Sequence, residues 1–242
     1  VRTIRIYQPG NYEKGQTIAL SKEASLHVGT VLRMQPKEHV TLFRGDNLEF
    51  KTTITEVNKK QITVTVIEVL HVSRESSRVI HLAQGISKGE RMEFVIQKAV
   101  ELGVTSITPL LTERCVVKLD STRLLKKHQQ WQAICIAACE QSGRNQLPTI
   151  HQACSFDDYL ASSDDTIHFV LDPTTKASWR DYVPIEGGIS LMIGPEGGLS
   201  SNEIAKARAL NFHPLTLGPR ILRTETATIA GITLFQALAG DF

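Results

Sequence analysis

From Arg2 to about Leu70, apolar and polar positions alternate in short runs: Arg2 to Tyr7, His39 to Phe43, Asn47 to Val57 and Gln61 to Leu70. Alternation with a period of two puts successive side chains on opposite faces of an extended chain, so each run predicts a strand with one face toward a core. The last run contains Ile62-Thr-Val-Thr-Val-Ile67, β-branched throughout, which suits a pleated surface. Gly45-Asp46-Asn47 and Asn58-Lys59-Lys60 supply turns between runs. The period changes at Glu23 to Leu32, where Ala24, His27, Val28 and Val31 fall on one helical face. These features predict a small β-barrel or sandwich over residues 1–72, interrupted by one helix.

After the polar stretch Ser73-Arg-Glu-Ser-Ser-Arg78 the rhythm becomes strand and helix in turn. Strands are predicted at Val79 to Ala83, Ser106 to Leu111, Ile167 to Leu171, Ile189 to Ile193 and Pro214 to Leu217. Helices are predicted at Gly89 to Leu102, Ser121 to about Gln141, Ser200 to Leu210 and Ala227 to Leu238, with Gly103 closing the first of them in a positive-φ conformation. Such alternation argues for an α/β domain with a mostly parallel sheet over residues 73–242, the boundary falling near 72–78.

Composition narrows the class rather than the function. The 242 residues are 41% hydrophobic and 21% charged, which fits a globular protein and excludes disordered and fibrous chains. The first residues are charged and alternating, and no segment approaches the roughly 18 apolar residues of a membrane span, which predicts a cytoplasmic protein without a membrane partner. Cys115, Cys135, Cys139 and Cys154 lack zinc-ribbon spacing and the 8 histidines are scattered singly, so no metal is expected. Net charge is only +2, but residues 1–78 carry 12 Lys and Arg against 8 Asp and Glu, whereas 79–242 carry 15 against 17. The first third is therefore a candidate polyanion-facing surface, and equally a solvated charged face.

Ligands of open α/β sheets bind beyond the carboxyl ends of the strands. Three loops there are unusual: Leu171-Asp-Pro-Thr174, Ile193-Gly-Pro-Glu-Gly-Gly-Leu-Ser200, and Leu217-Gly-Pro-Arg220 running on to Leu222-Arg-Thr-Glu-Thr226. In the second, Gly194, Gly197 and Gly198 permit a sharp turn and close backbone approach, Pro195 stiffens the entrance, and Ser200 with Glu203 forms a capping box. Neither Gly-Lys-Ser/Thr nor Gly-x-Gly-x-x-Gly is present, so a phosphate-binding loop of the ordinary kinds is not expected. The loops fit a rigid pocket that reads a flat heterocycle with main-chain groups, and the second also fits a tight βα turn with no ligand.

Gly194-Pro-Glu-Gly-Gly-Leu-Ser200 together with Leu217-Gly-Pro-Arg-Ile-Leu-Arg-Thr-Glu-Thr-Ala227 resembles the RsmE family of SPOUT-superfamily RNA methyltransferases. Ser87-Lys-Gly-Glu-Arg-Met-Glu-Phe94, Gln97-Lys98, Glu101-Leu-Gly103, Thr112-Glu-Arg-Cys115 and Ala138-Cys-Glu-Gln-Ser-Gly-Arg-Asn145 are similar as well, so the likeness spans the chain. It implies an N-terminal PUA-like RNA-binding barrel, an α/β domain with a deep trefoil knot, a homodimer, and S-adenosyl-L-methionine as cofactor. It further implies methylation of N3 of a uridine in the decoding region of 16S rRNA, within the small ribosomal subunit. The cofactor would lie against Leu171 and Pro173 of the first loop and Ile193, Gly194, Pro195, Glu196, Gly197 and Gly198 of the second. Leu217, Gly218, Leu222, Arg223 and Thr226 of the third would complete its site, whereas relatives vary at Asp172, which carries no assigned role.

Under that activity N3 must lose its proton before it attacks, so the site needs a cation for the developing charge and a proton acceptor. Arg223, with planar donors that stay charged, is the candidate cation. Glu225 is placed to orient it or to take the proton, and Glu196 is the alternative base. The structural alternatives are a surface ion pair for Arg223, a carboxylate favoured at a helix N-terminus for Glu225, and an N-cap for Thr224. Glu140, Gln141 and Arg144 are expected near the cofactor cleft or a dimer seam. Because N3 lies on the pairing edge, a paired target must be opened. Candidate RNA contacts are Arg5, Arg33, Arg44, Lys59, Lys60, Arg91, Arg114 and Arg144, with Lys118, Arg123, Lys126 and Lys127 as a further path or simply a solvated helix surface. Two other functions remain open: a SPOUT methyltransferase acting on ribose 2′-OH or a tRNA base, and a non-catalytic ribosome-assembly factor.

Overall fold

The computed structural model describes residues 3–58, 61–116, 120–162 and 164–242. It divides into two compact units, one of residues 1–75 with 139–147 and one of residues 76–138 with 148–242.

The first unit contains β1 (Ile4–Tyr7), β2 (Thr17–Ala19), α1 (Lys22–Leu26) continued by a π-helical turn His27–Val31, β3 (His39–Phe43), β4 (Leu48–Val57) and β5 (Ile62–His71). The sheet order is β1-β3-β4-β5-β2, with β1 parallel to β3 and the other neighbours antiparallel. β4 shifts register between Lys51 and Thr52 and again between Ile54 and Glu56, irregularities that bend a strand and curl its sheet. The alternating runs therefore close on one core, with Ile6, Val40, Leu42, Phe50, Ile54, Val64 and Val66 from the strands and Ala24 and Val28 from the helix. The short β2 escaped the sequence pattern because three residues carry too little alternation to register.

An ionic network completes this unit. Arg5 Nη1 and Arg74 Nη1 donate to Glu49 Oε1 at 2.6 and 2.8 Å, and Asn145 Nδ2 donates to the same oxygen at 2.9 Å. Arg5 also reaches Asn145 Oδ1, and Asn145 Nδ2 donates to the Val72 carbonyl at 2.7 Å. Arg144, 4% exposed, pairs with Glu75. Glu140 accepts the Tyr7 N–H at 2.9 Å, and burial raises its carboxyl pKa against that bond.

The second unit contains β6 (Ile80–Gly85), α2 (Glu90–Glu101), β7 (Ser106–Leu111), α3 (Ser121–Ser142, whose last turn belongs to the first unit), β8 (Thr149–Ile150), β9 (Cys154–Ser155) and α4 (Phe156–Ala161). It continues with β10 (Ile167–Leu171), β11 (Ile189–Ile193), α5 (Ser201–Ala209), β12 (His213–Leu215) and α6 (Thr224–Ala239). The strand order is β12-β10-β11-β6-β7-β8, with β9 also on β7 and every pair parallel. A parallel sheet must be covered on both faces. Met192 and Val170 meet Phe156 of α4 and Ala207 of α5 on one face, and Leu191 meets α6 at Gly231 on the other. Gly103 follows α2 at φ +86, as expected, and Ser200 caps α5 in a capping box with Glu203. Among the described residues no helix is long and apolar enough to cross a membrane.

Replacing Glu49 by Ala removes the shared acceptor of three buried or half-buried donors, and is expected to lower the unfolding free energy by about 3 kcal/mol in urea denaturation. Burial pushes the Glu49 carboxyl up, but Arg74, Asn145 and Arg5 outweigh it and hold it below the usual range. With the folded pKa the lower one, this stabilisation is full above the unfolded value of about 4.3 and is lost as pH falls through the folded value. The stability gap between parent and Glu49→Ala is therefore expected to narrow below about pH 4.

Candidate active site

Parallel pairing puts the carboxyl ends of β10, β11 and β12 on one edge of the sheet, and the loops that leave them converge on a cavity of about 650 Å³. Leu171, Asp172, Pro173 and Thr174 come from the first loop, and Ile193 through Leu199 from the second. Ile221, Leu222, Thr224 and Ala227 close it from the third loop and the start of α6. Its walls are thus largely aliphatic, with main-chain polar groups between them, which suits a flat heterocycle.

The second loop owes its path to its glycines and proline. Gly198 sits at φ +69 and donates to the Pro195 carbonyl at 2.8 Å, closing the turn. A Cβ on Gly194 would lie 2.7 Å from the Leu199 nitrogen, so only glycine fits at the strand exit. Arg114 braces the outer side, donating to the carbonyls of Gly197 at 3.0 Å and Leu199 at 3.4 Å. Asp172, 3% exposed, turns inward on its own loop and accepts from the Thr174 N–H at 2.9 Å and hydroxyl at 2.6 Å. It lines the cavity while shaping the loop, a part the sequence did not assign to it.

The titratable groups differ in what they are free to do. Arg223 is exposed at the N-cap of α6. Glu225, two residues on, has an Oε2 that is buried with no hydrogen-bond partner. Glu196 accepts from the Lys88 N–H at 2.8 Å and from Arg91 at 2.9 Å. Burial raises its pKa, but its own N–H, the Lys88 N–H and Arg91 outweigh that and leave the carboxyl below its usual range. Glu196 is therefore a weaker proton acceptor than an ordinary carboxylate.

One expectation needs correction. Thr224 is not the N-cap of α6: that position is Arg223, which makes no side-chain capping bond. The Thr224 hydroxyl instead donates to the Gly194 carbonyl at 2.7 Å, tying the second loop to the third. Of the residues expected at the cofactor, Leu171, Pro173, Ile193 through Gly198 and Leu222 line the cavity together with Ser201, Ile204, Ala205 and Arg208 of α5, while Leu217, Gly218, Arg223 and Thr226 stand outside its lining. Nothing in the loop motifs pointed to α5, whose exposed face reads in sequence as an ordinary charged helix surface.

Most of the described basic residues expected at RNA have partners within the fold. Arg5 and Arg144 are turned into the ionic network of the first unit, and Glu140 and Arg144 belong to that unit rather than to the cavity. Arg91 pairs with Glu196, and Arg114 serves the second loop. Arg44 pairs with Asp46, and Arg33 is exposed. Arg123 pairs with Asp120 and Lys127 with Glu93, while Lys126 is exposed. Lys59, Lys60 and Lys118 lie outside the described residues. Charge signs were legible in the sequence, but partners 44 or 69 positions away were not.

Comparison with known proteins points the same way as the cavity. The family model described as RNA methyltransferase domain matches residues 74–236, and that described as RNA methyltransferase PUA domain matches residues 20–67. Ribosomal RNA small subunit methyltransferase E of Buchnera aphidicola subsp. Schizaphis graminum is 38% identical, over 99% of this chain and 98% of its own. The protein of the same name from Bacillus subtilis is 30% identical over 95% and 94%. Ribosomal RNA small subunit methyltransferase E from Neisseria gonorrhoeae, solved bound to S-adenosyl methionine, superposes with a TM-score of 0.93 at 38% identity, covering 100% of both chains. A Legionella pneumophila protein solved in complex with the cofactor SAM gives a TM-score of 0.97 at 52% identity, again over 100% of both chains.

The strand exits set a steric limit that can be tested. A Cβ on Gly85, the last residue of β6, would lie 2.5 Å from the Pro195 ring and backbone nitrogen. Gly85→Ala is therefore expected to push the second loop outward and to destabilise the protein by about 1–3 kcal/mol, read by thermal unfolding. An unchanged melting temperature would contradict this packing.

Proposed function

Because the chain belongs to the ribosomal RNA small subunit methyltransferase E family, we propose that it transfers a methyl group from S-adenosyl-L-methionine to N3 of a uridine in the decoding region of 16S rRNA. The substrate in this reading is the assembled small subunit, and the enzyme a cytoplasmic homodimer. Residues 1–72 form an RNA-binding PUA-like domain, and residues 73–242 a methyltransferase domain whose C-terminal loops thread a trefoil knot. The observation that carries the reading is the cavity formed by the three strand-end loops.

The residues present fit the cofactor. Leu171, Pro173, Ile193, Pro195, Leu222 and Ala227 give an apolar slot for a purine ring, and the glycine-bearing turn brings main-chain donors and acceptors within reach of its edge. When bound, S-adenosyl-L-methionine supplies an electrophilic methyl carbon on a positively charged sulfur.

The chain's own residues prepare the nucleophile. Arg223, between the cavity-lining Leu222 and Thr224, carries the permanent guanidinium that in this reading stabilises the charge spreading onto O2 and O4 as uridine N3 loses its proton. Glu225, whose buried Oε2 lacks a partner, is the acceptor for that proton. Glu196, held by Lys88 and Arg91, keeps the second loop in place rather than acting as base. Of the candidate RNA contacts on the first unit, Arg33 is exposed and suits a backbone phosphate, Arg44 would have to share its guanidinium with Asp46, and the target base is presented by opening the RNA.

Arg223→Ala is expected to leave the Kd for S-adenosyl-L-methionine within about threefold by calorimetry, while methyl transfer to small subunits falls by roughly 10²-fold or more. Near-normal turnover in this variant would remove Arg223 from the mechanism. Glu225→Gln is expected to slow transfer at neutral pH and to recover part of the loss as the pH is raised toward the pKa of N3, read from a pH–rate profile.

A further inference from the structure

Gln84 is a buried polar residue to which neither the loops nor the proposed chemistry gives a task. It lies in β6 beside Ile193 of β11, two positions after Leu82, so strand alternation puts it on the sheet face covered by α6. A side-chain amide withdrawn from water costs free energy unless its polar atoms find partners. Here they do. Nε2 donates to Thr224 Oγ1 at 2.9 Å and to the Gly85 carbonyl at 3.2 Å, with the Gly194 carbonyl at 3.4 Å. Oε1 accepts from Thr228 Oγ1 at 2.7 Å, and that hydroxyl also lies 2.9 Å from the Thr224 carbonyl. Gln84 and Thr228 are 0% exposed and Thr224 is 6% exposed, so no member relies on solvent.

A satisfied buried network and well-packed apolar side chains of the same shape are nearly equal in stability, so stability alone does not explain the polar choice. What the network fixes does. Thr224 and Gly194 line the cavity, and Gln84 does not. Gly194 opens the second loop, and Thr224 is the first residue of α6, between Arg223 and Glu225. One amide thus joins the exit of β6, the exit of β11 and the first turn of α6.

We propose that Gln84 is a positioning residue: acting through Thr224 and Gly194, it sets the spacing between the second loop and the segment Arg223–Glu225, and with it the fit of S-adenosyl-L-methionine. This rests on the cavity being that cofactor's site. The test uses full-length Gln84→Met, similar in length but without the hydrogen bonds, and Thr228→Val, which removes one hydroxyl. Gln84→Met is expected to melt close to the parent while the KM for S-adenosyl-L-methionine rises about tenfold and kcat falls less. Thr228→Val is expected to move KM the same way by a smaller factor, and the double variant to be no worse than Gln84→Met, because both break one chain of bonds. Amide hydrogen exchange across residues 194–199 and 224–228, measured without cofactor, is expected to quicken in Gln84→Met. An unchanged KM with unchanged exchange overturns the proposal, as does a KM that rises only in proportion to a lowered melting temperature. Where Gln84→Met fails to fold, Thr228→Val decides on the same criteria. Failure of the parent to bind S-adenosyl-L-methionine sinks the cofactor reading instead, and the exchange measurement still decides whether Gln84 holds the loop.

Discussion

The second unit depends on how two neighbouring strands end. β6 and β11 run parallel with Gln84 opposite Ile193, and the residues that follow, Gly85 and Gly194, have no room for a Cβ. Pro195 fills the space over Gly85, and the backbone of Gly198 and Leu199 fills that over Gly194. The chain can therefore leave β11 only by folding back tightly on itself. The Gly194 carbonyl then faces the start of α6, where Thr224 donates to it. The cavity walls, the capping of α5 and the presentation of Arg223 and Glu225 all follow from that turn. A closely packed interior transmits small displacements, so a shift at this point reaches the first residue of α6 through the Thr224 bond to the Gly194 carbonyl.

The first unit is governed by a different balance. Its strands close on an aliphatic core, but the segment 139–147 is held by charge and amide pairing around Glu49 and Asn145, which is 0% exposed. Such a network is only modestly stabilising as a whole and costly to break in part. That asymmetry explains why Arg5 and Arg144, which look in sequence like free cations, are committed inside the fold.

Much of this was legible in the sequence where a local period repeats often enough. The strand His39–Phe43 has the bounds its alternation predicts, Ser106–Leu111, Ile167–Leu171 and Ile189–Ile193 have the bounds expected from the strand-and-helix rhythm, and the capping box at Ser200 and the turn at Gly103 follow from local chemistry. The short β2, β8 and β9 and the helix α4 were missed because two to six residues carry no clear period. The three loops were found by composition, and Leu171, Pro173, Ile193 through Gly198 and Leu222 line the cavity, but Leu217 turns to Gly231 of α6 and α5 supplies a wall that no loop motif announces. Gln84 carries no distinguishing mark in the sequence, because its partners lie 140 and 144 positions away. Thr224 reads locally as an N-cap, and a tertiary partner displaced that role.

The central claim is that the loop-lined cavity delivers a methyl group to N3 of a uridine of 16S rRNA. Its most direct test is incubation of the purified protein with methyl-labelled S-adenosyl-L-methionine and small subunits from a strain lacking this activity, beside naked 16S rRNA, followed by nucleoside mass spectrometry and mapping of the label. The account predicts one labelled 3-methyluridine in the decoding region, formed on assembled subunits in preference to naked rRNA. Label on ribose 2′-OH, on another base, or no label on either substrate would contradict it.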